Sequence, residues 1–417
     1  MAVCTQLFAA LPVRLAVVTS LVATAALSGC NPKSDLHQHP AHTAKQVPIV
    51  TTSEKSRTAN PAWPLGEAIL TEGVNAAREL NKAVTELLAT PTMEKLDQAQ
   101  NAWRATAAAL EQFHVFSRLG NVAPKNFYSV FEAQFLLTAW PIQPGYLDSF
   151  GDHPYSGIVF DIGMPLSRDV LREQHGLTDN SDATLGIYAI EFLLFGEQNN
   201  RGPLVFQPIT ALGDEHREEG FEHVDELPRN RRRELLRLQV ELLTEDAERL
   251  RAAWAATEPG QLQYRFEVLS SAQQSELLQK AALALLTEQL VALANEQPAA
   301  NTPTISTDLW RGQQLAVRLQ AQLEGLRRLN SVVSLGDQVE RDIARGLAAL
   351  TAQTDLPPIN AQGLPNRVDW KETYSALRDL IRALNSPADN SNSGEMENVS
   401  ETENATPAPN VKNADKM

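Results

Sequence analysis

One carboxylate, Glu191, stands inside the apolar run Leu185-Gly-Ile-Tyr-Ala-Ile-Glu-Phe-Leu-Leu-Phe-Gly-Glu197, which has the composition of a buried helix. A lone buried charge costs several kcal/mol or neutralises itself, so Glu191 requires a partner: an arginine, a hydroxyl, an imidazole or a metal ion. Tyr188 is the nearest candidate, because residues three apart on a helix share a face and their polar ends can converge on one point of the core. The bland chemistry is a satisfied core pair, in which the Tyr188 hydroxyl donates to Glu191 and Arg104 serves as counter-ion.

Helices must position these groups, for helical periodicity dominates from Ala62 onward. Leu65, Ile69, Val74, Leu80, Val84 and Leu87-Leu88 predict a first amphipathic helix ending at Thr90-Pro91, with Thr90 capping the next helix and Pro91 in its first position. The stripe of the second helix, expected to run to about Ser117, passes through Leu96, Trp103, Leu110, Phe113 and His114. A third helix spans Asn126 to Thr138 and meets two prolines in Ala139-Trp-Pro-Ile-Gln-Pro-Gly-Tyr-Leu-Asp148. Ser149 to Thr184 is then an irregular excursion, of a length usually functional or disordered. Ser181 or Asp182 is the expected cap of the helix carrying Glu191, and Gly196 its end.

Arg201 to Asp225 is polar and poorly periodic, and Pro228 opens a long helix through Trp254. The cluster Arg229-Asn-Arg-Arg-Arg233 at that start opposes the helix dipole, so its side chains are expected in water or on local glutamates. Four more helices follow: Gln263 to Asn295, Thr307 to Asn330, Leu335 to Ala352 and Asp369 to Leu384. Leu309-Trp310-Arg311 echoes Ala102-Trp103-Arg104, a faint sign of duplication. Ser386 to Met417, rich in Asn, Ser and Glu, is predicted to be disordered.

The chain has 417 residues, a net charge of -15 and 43% hydrophobic residues, enough for a sizeable core and two domains. Its acidic balance, with no basic stripe interleaved with aromatics, excludes nucleic acid as a partner. Residues Met1 to Gly29 have the pattern of a secretion signal, with Arg14 ahead of the apolar run Leu15 to Leu27. Leu27-Ser-Gly-Cys30 resembles a lipobox, which makes Cys30 the lipid-modified first residue of the mature protein. Cys4 leaves with the signal, so neither cysteine remains for a disulfide or thiol catalysis. Asn31 after the cysteine favours the periplasmic leaflet of the outer membrane. Residues 30–60 read as a flexible tether, in which His37, His39 and His42 have no geometry to hold a metal.

Gly186-Ile-Tyr188-Ala-Ile-Glu191 resembles the G-x-H-x-x-E motif of the imelysin family, with Tyr188 in the histidine position. The Trp-Pro-Ile segment before the excursion, the Arg-rich start at Pro228 and the aromatic-rich end of the second helix are similar to that family too. There His114 falls near the family's acidic position. The resemblance implies an all-α fold of two related helical bundles in a bacterial envelope protein connected with iron supply or proteolysis. The expected domains are residues 61–258, with the motif, and 259–385.

Two site chemistries join the core pair. A metallopeptidase needs neutral imidazoles, carboxylates, an open coordination position and a general base. His-Glu-x-x-His is absent, leaving His114, His153, His175, His216 and His223 to supply nitrogen. Capture without catalysis would use Tyr188 and Glu191 as hard oxygen donors for ferric iron, with His114 completing the set. The reading adopted is an imelysin-like lipoprotein facing the periplasm, a binding component in metal acquisition with iron as its cargo. A divalent-metal peptidase is the alternative. A further alternative is a metal-free scaffold that binds an envelope partner through the 149–184 excursion.

Overall fold

The structure, a computed structural model, describes residues 56–151, 153–196, 201–296, 307–354 and 368–386. The expected signal, Cys30, the tether through residue 55 and the tail beyond Ser386 lie outside the described residues. The fold is all-α: no strand occurs among the described residues, only an isolated bridge between Phe150 and His153.

In chain order the helices are α1 (Ala62–Ala89), α2 (Met93–Gln112), α3 (His114–Ser117), α4 (Leu119–Val122), α5 (Pro124–Thr138), α6 (Arg168–Gln174) and α7 (Ile187–Phe195). Next come α8 (Asp214–Glu218), α9 (Pro228–Ala255), α10 (Leu262–Glu267), α11 (Ser271–Glu296), α12 (Thr307–Val333), α13 (Asp337–Thr354) and α14 (Lys371–Asn385). Short 3-10 turns occupy Pro203–Phe206 and Val224–Glu226. Helices α1, α2 and α9 pack together with α5 and α7, whereas α12, α13, α14 and α11 form a second group. The groups meet where α12 lies on α2 and α11 lies on α3 and α4. Although α11 is long and apolar enough to cross a membrane, these neighbours place it as a core helix.

Several ends differ from expectation. Thr92, not Thr90, caps α2 by accepting from the Lys95 amide, because Thr92 is extended and Thr90 still closes α1 on the Glu86 carbonyl. The expected second helix breaks at Phe113 into the short turns α3 and α4. The expected helix from Gln263 is two helices, α10 and α11. Residues 57–60, which composition assigns to the tether, are docked. The Arg57 guanidinium donates to Glu267 at 2.7 Å, the Thr58 amide to the Glu267 carbonyl at 2.7 Å, and Asn60 to Gln274 at 3.0 Å.

A tryptophan pair closes one end of α1 on α9. The Trp63 and Trp254 rings stack 3.8 Å apart, and each indole N–H donates to the other's carbonyl, at 3.1 and 3.0 Å. Gly66 makes room for them, since a Cβ there would lie 2.7 Å from the Trp254 ring.

Of the Arg229–Arg233 cluster only Arg229 is exposed to water as expected; Arg231, Arg232 and Arg233 turn inward. Arg231 is buried and donates to the carbonyls of Ile158, Val159, Asp161 and Met164, at 2.6 to 3.1 Å. Arg232 forks onto the buried Asp148 at 2.6 and 2.8 Å, and Arg201 reaches the same carboxylate at 2.6 Å. The excursion, itself holding α6, is thus pinned by arginines at the start of α9. The carbonyls of an irregular segment need donors, and this need outweighs an unfavourable helix dipole of at most about 1–2 kcal/mol.

Candidate functional site

The site grows from α7, a nine-residue helix whose side chains are almost all buried. Its N-cap is Gly186 at φ 96°, so neither Ser181 nor Asp182 caps it as expected. Glycine is required here twice over: positive φ favours it, and a Cβ would meet the Leu137 carbonyl at 3.0 Å. Trp103 of α2 fixes the first turn by donating its indole N–H to the Ile187 carbonyl at 2.6 Å, and its ring meets Tyr188 edge-on.

The Tyr188 hydroxyl donates to Glu111 of α2 at 2.8 Å, and this corrects the expected bond to Glu191. Side chains on a helix lean toward its N-terminus, so the long phenol reaches out of α7 toward α2 while Glu191 keeps its own place one turn on. Glu111 is the hub. Its Oε1 also accepts from Arg318 Nε at 3.2 Å, and its Oε2 accepts from Gln322 Nε2 at 2.7 Å. His114 Nδ1 lies 3.0 Å from Oε2, off the line of a hydrogen bond, while His114 Nε2 takes the Arg118 guanidinium.

Charge follows from these contacts. Burial raises the Glu111 pKa, but the Arg318 charge, His114 and the donated hydrogen bonds outweigh it and bring the carboxyl down to about 2. Burial and then the Glu111 charge push the Tyr188 phenol well above its ordinary range. His114 is pulled down by burial and by Arg118, against the opposing Glu111, and stays neutral. Arg318 is held up by Glu111 despite its burial.

Glu191 has a different fate. Burial lifts its pKa to about 8, a rise the Arg104 charge only partly offsets, and Oε1 has no hydrogen-bond partner among the described residues. The expected Arg104 counter-ion instead lies exposed over the Phe195 ring and donates to Asn101. Glu191 therefore neutralises itself by keeping its proton.

These placements decide how far Tyr188, Glu191 and His114 fit a metal. Tyr188 spends its proton on Glu111, Glu191 is protonated, and His114 Nε2 is engaged by Arg118. As arranged, none of the three offers a cation a free, basic lone pair. Among the described residues no three His, Cys, Asp or Glu side chains gather as metal ligands. His153, His175, His216 and His223 are not brought to Glu111: His175 accepts from the Leu185 amide at 3.2 Å, and His216 accepts from the Gly213 amide at 3.1 Å.

Beside the hub opens a cleft of about 240 Å³ between α3–α5 and α11–α12, with Asn180 of the excursion at its edge. Arg118 and Arg318 form its charged walls, under the rings of Phe131 at 5.7 Å and Trp140 at 4.8 Å. Among the described residues, Arg118 Nε, His114 Nδ1 and Gln134 Oε1 are buried there without hydrogen-bond partners.

Glu111, Arg118, Gln322 and Arg318 escaped the sequence reading. Glu111 carried the same signal as Glu191, a carboxylate on an apolar stripe, since it lies four residues after Ala107 and eight after Trp103. Arg318 and Gln322 sit among Leu315, Leu319, Leu323 and Leu326 in the same way.

A search of curated proteins finds no match. The imelysin peptidase-family model matches residues 68–390, from the first turns of α1 to beyond α14 and across the whole Glu111 hub. With most of its length so matched, the chain belongs to the imelysin family.

Proposed function

We propose that this protein is a ligand-binding component of the bacterial envelope, acting in metal acquisition and not as a working peptidase. The observation that carries the reading is the cleft at the Glu111 hub, which His114, Arg118 and Gln134 line and where, among the described residues, Arg118 Nε and Gln134 Oε1 find no hydrogen-bond partner. Ligand pockets place a few polar groups in this manner, and buried polar atoms are otherwise nearly always paired. The metal is the cargo in this reading, and it arrives already complexed, because a bare ion would have to displace Arg318 from Glu111. A peptidase needs a base or metal-bound water; here Glu111 is spent on Arg318, and Glu191 holds its proton.

The lipobox-like Leu27-Ser-Gly-Cys30 supports anchorage at Cys30, with the body facing the periplasm. Loss of palmitate labelling in Cys30→Ser is the expected result, and unchanged labelling removes the anchor. A protein partner on the excursion is favoured separately by the exposure of Tyr155, Ile162 and Leu177.

The test uses the detergent-solubilised full chain, equilibrated with iron as simple salts and as small-molecule complexes, desalted and assayed for metal and for cleavage of unfolded protein. Iron retention without cleavage is expected. Chelator-sensitive cleavage by a homogeneous sample, lost in Glu191→Ala, would replace this reading with the peptidase.

A further inference from the structure

Arg118 is 6% exposed and Arg318 5%, and they converge on one acidic side chain at the mouth of the cleft, Glu288 of α11. Arg118 Nη2 lies 3.0 Å from its Oε2, and Arg318 Nη2 lies 4.0 Å from its Oε1. The two arginines are unequal. Arg318 is already neutralised by Glu111, whereas among the described residues Arg118 faces no carboxylate within bonding reach other than Glu288, whose side chain is 44% exposed. A guanidinium binds a carboxylate through a two-donor edge. On Arg118 that edge is incompletely used: Nη2 is shared between His114 Nε2 and Glu288, while Nε is buried with no partner among the described residues.

We propose that Glu288 occupies the place of a ligand carboxylate, and that the cleft takes a small polycarboxylate, free or as its ferric chelate, which displaces Glu288 and fills the Arg118 edge. This rests on the binding reading above and names the ligand class of that cleft. A monocarboxylate would only exchange with Glu288, which is tethered at the site and competes at high effective concentration. A second acidic group changes the balance, because Arg318 Nη2 stands too far from Glu288 to be fully used and its outer face is closed by Trp140. The volume, about 240 Å³, is below the roughly 300–1,000 Å³ of drug-sized pockets and suits a molecule of few carbons. Asn121, on Arg118 Nη1 at 3.3 Å, and Asn180 supply polar groups at the rim.

The experiment is calorimetric titration of the full chain with acetate, citrate and ferric citrate, on the parent protein, Glu288→Gln and Arg118→Gln. Citrate or its ferric chelate should bind, acetate should not, and Arg118→Gln should weaken binding about tenfold or more. Glu288→Gln should bind about tenfold tighter, a gain that misfolding cannot imitate. Equal or weaker binding by Glu288→Gln, or unchanged binding by Arg118→Gln, overturns the proposal. No citrate binding in either form also overturns it; iron retained from simple salts would then leave metal as the cargo but not its arrival as a complex. Equal affinity for citrate with and without iron upholds the polycarboxylate site and removes the metal-cargo reading.

Discussion

The Tyr188 hydroxyl and the Glu111 carboxylate, 77 positions apart, meet at 2.8 Å and bind the motif helix α7 to α2. Because Glu111 also holds Arg318 and Gln322 of α12, a single carboxylate ties three helices from both halves of the chain.

Tyr188→Phe is expected to cost about 1.5–3 kcal/mol, the range for a hydrogen bond to a charged acceptor. Glu111 keeps its other donors, so the fold should survive. Urea denaturation followed by circular dichroism measures the loss. A neutral substitution would mean that the phenol is not bonded to an ionised Glu111.

Removing Glu111 is a larger insult, since it strands the buried Arg318. Glu111→Gln should cost about 3–5 kcal/mol, whereas replacing Glu111 and Arg318 together by Leu and Met should recover most of that. A double variant no better than the single one would show that the pair is not coupled. In the parent protein, the folded carboxyl at about 2 lies below its unfolded value of 4.5. Its contribution is therefore present above pH 4.5 and lost as pH falls toward 2.

Glu191 has the opposite sign. Its folded pKa, about 8, lies above the unfolded 4.5, so its contribution is complete below pH 4.5 and is lost as pH rises toward 8. Glu191→Gln should remove that decline and stabilise the protein at pH 8 by on the order of a few kcal/mol. Thermal melts at pH 5 and pH 8 read the difference. Parallel pH profiles for parent and variant would mean that Glu191 is ionised and paired.

Gly325 sets the approach of α12 to α2, for a Cβ there would fall well inside contact distance of the Gln112 carbonyl oxygen. Gly325→Ala should cost about 1–3 kcal/mol by overpacking and should shift Arg318 and Gln322 away from Glu111. Melting temperature and citrate titration should both change. Stabilisation, the usual result of Gly→Ala in a helix, would contradict the close crossing.

Period and punctuation alone determined that this chain is helical. Apolar residues recurring along α1, α2 and α9 can be buried only as helices, and Pro228 and Gly196 mark boundaries through backbone geometry that any fold must respect. Sequence also showed that Glu191 was anomalous and that two outcomes were open, pairing or protonation. Only the tertiary structure chose, because burial depth and the distance to each cation are properties of packing and not of spacing. The same holds for the Arg229–Arg233 cluster, legible as a charge run but not as the clamp on carbonyls some 70 residues earlier. The Glu111 hub was least legible. Its partners come from α7 and α12, 77 and 207 positions away, and no local pattern records which buried polar residues a helix crossing will bring face to face.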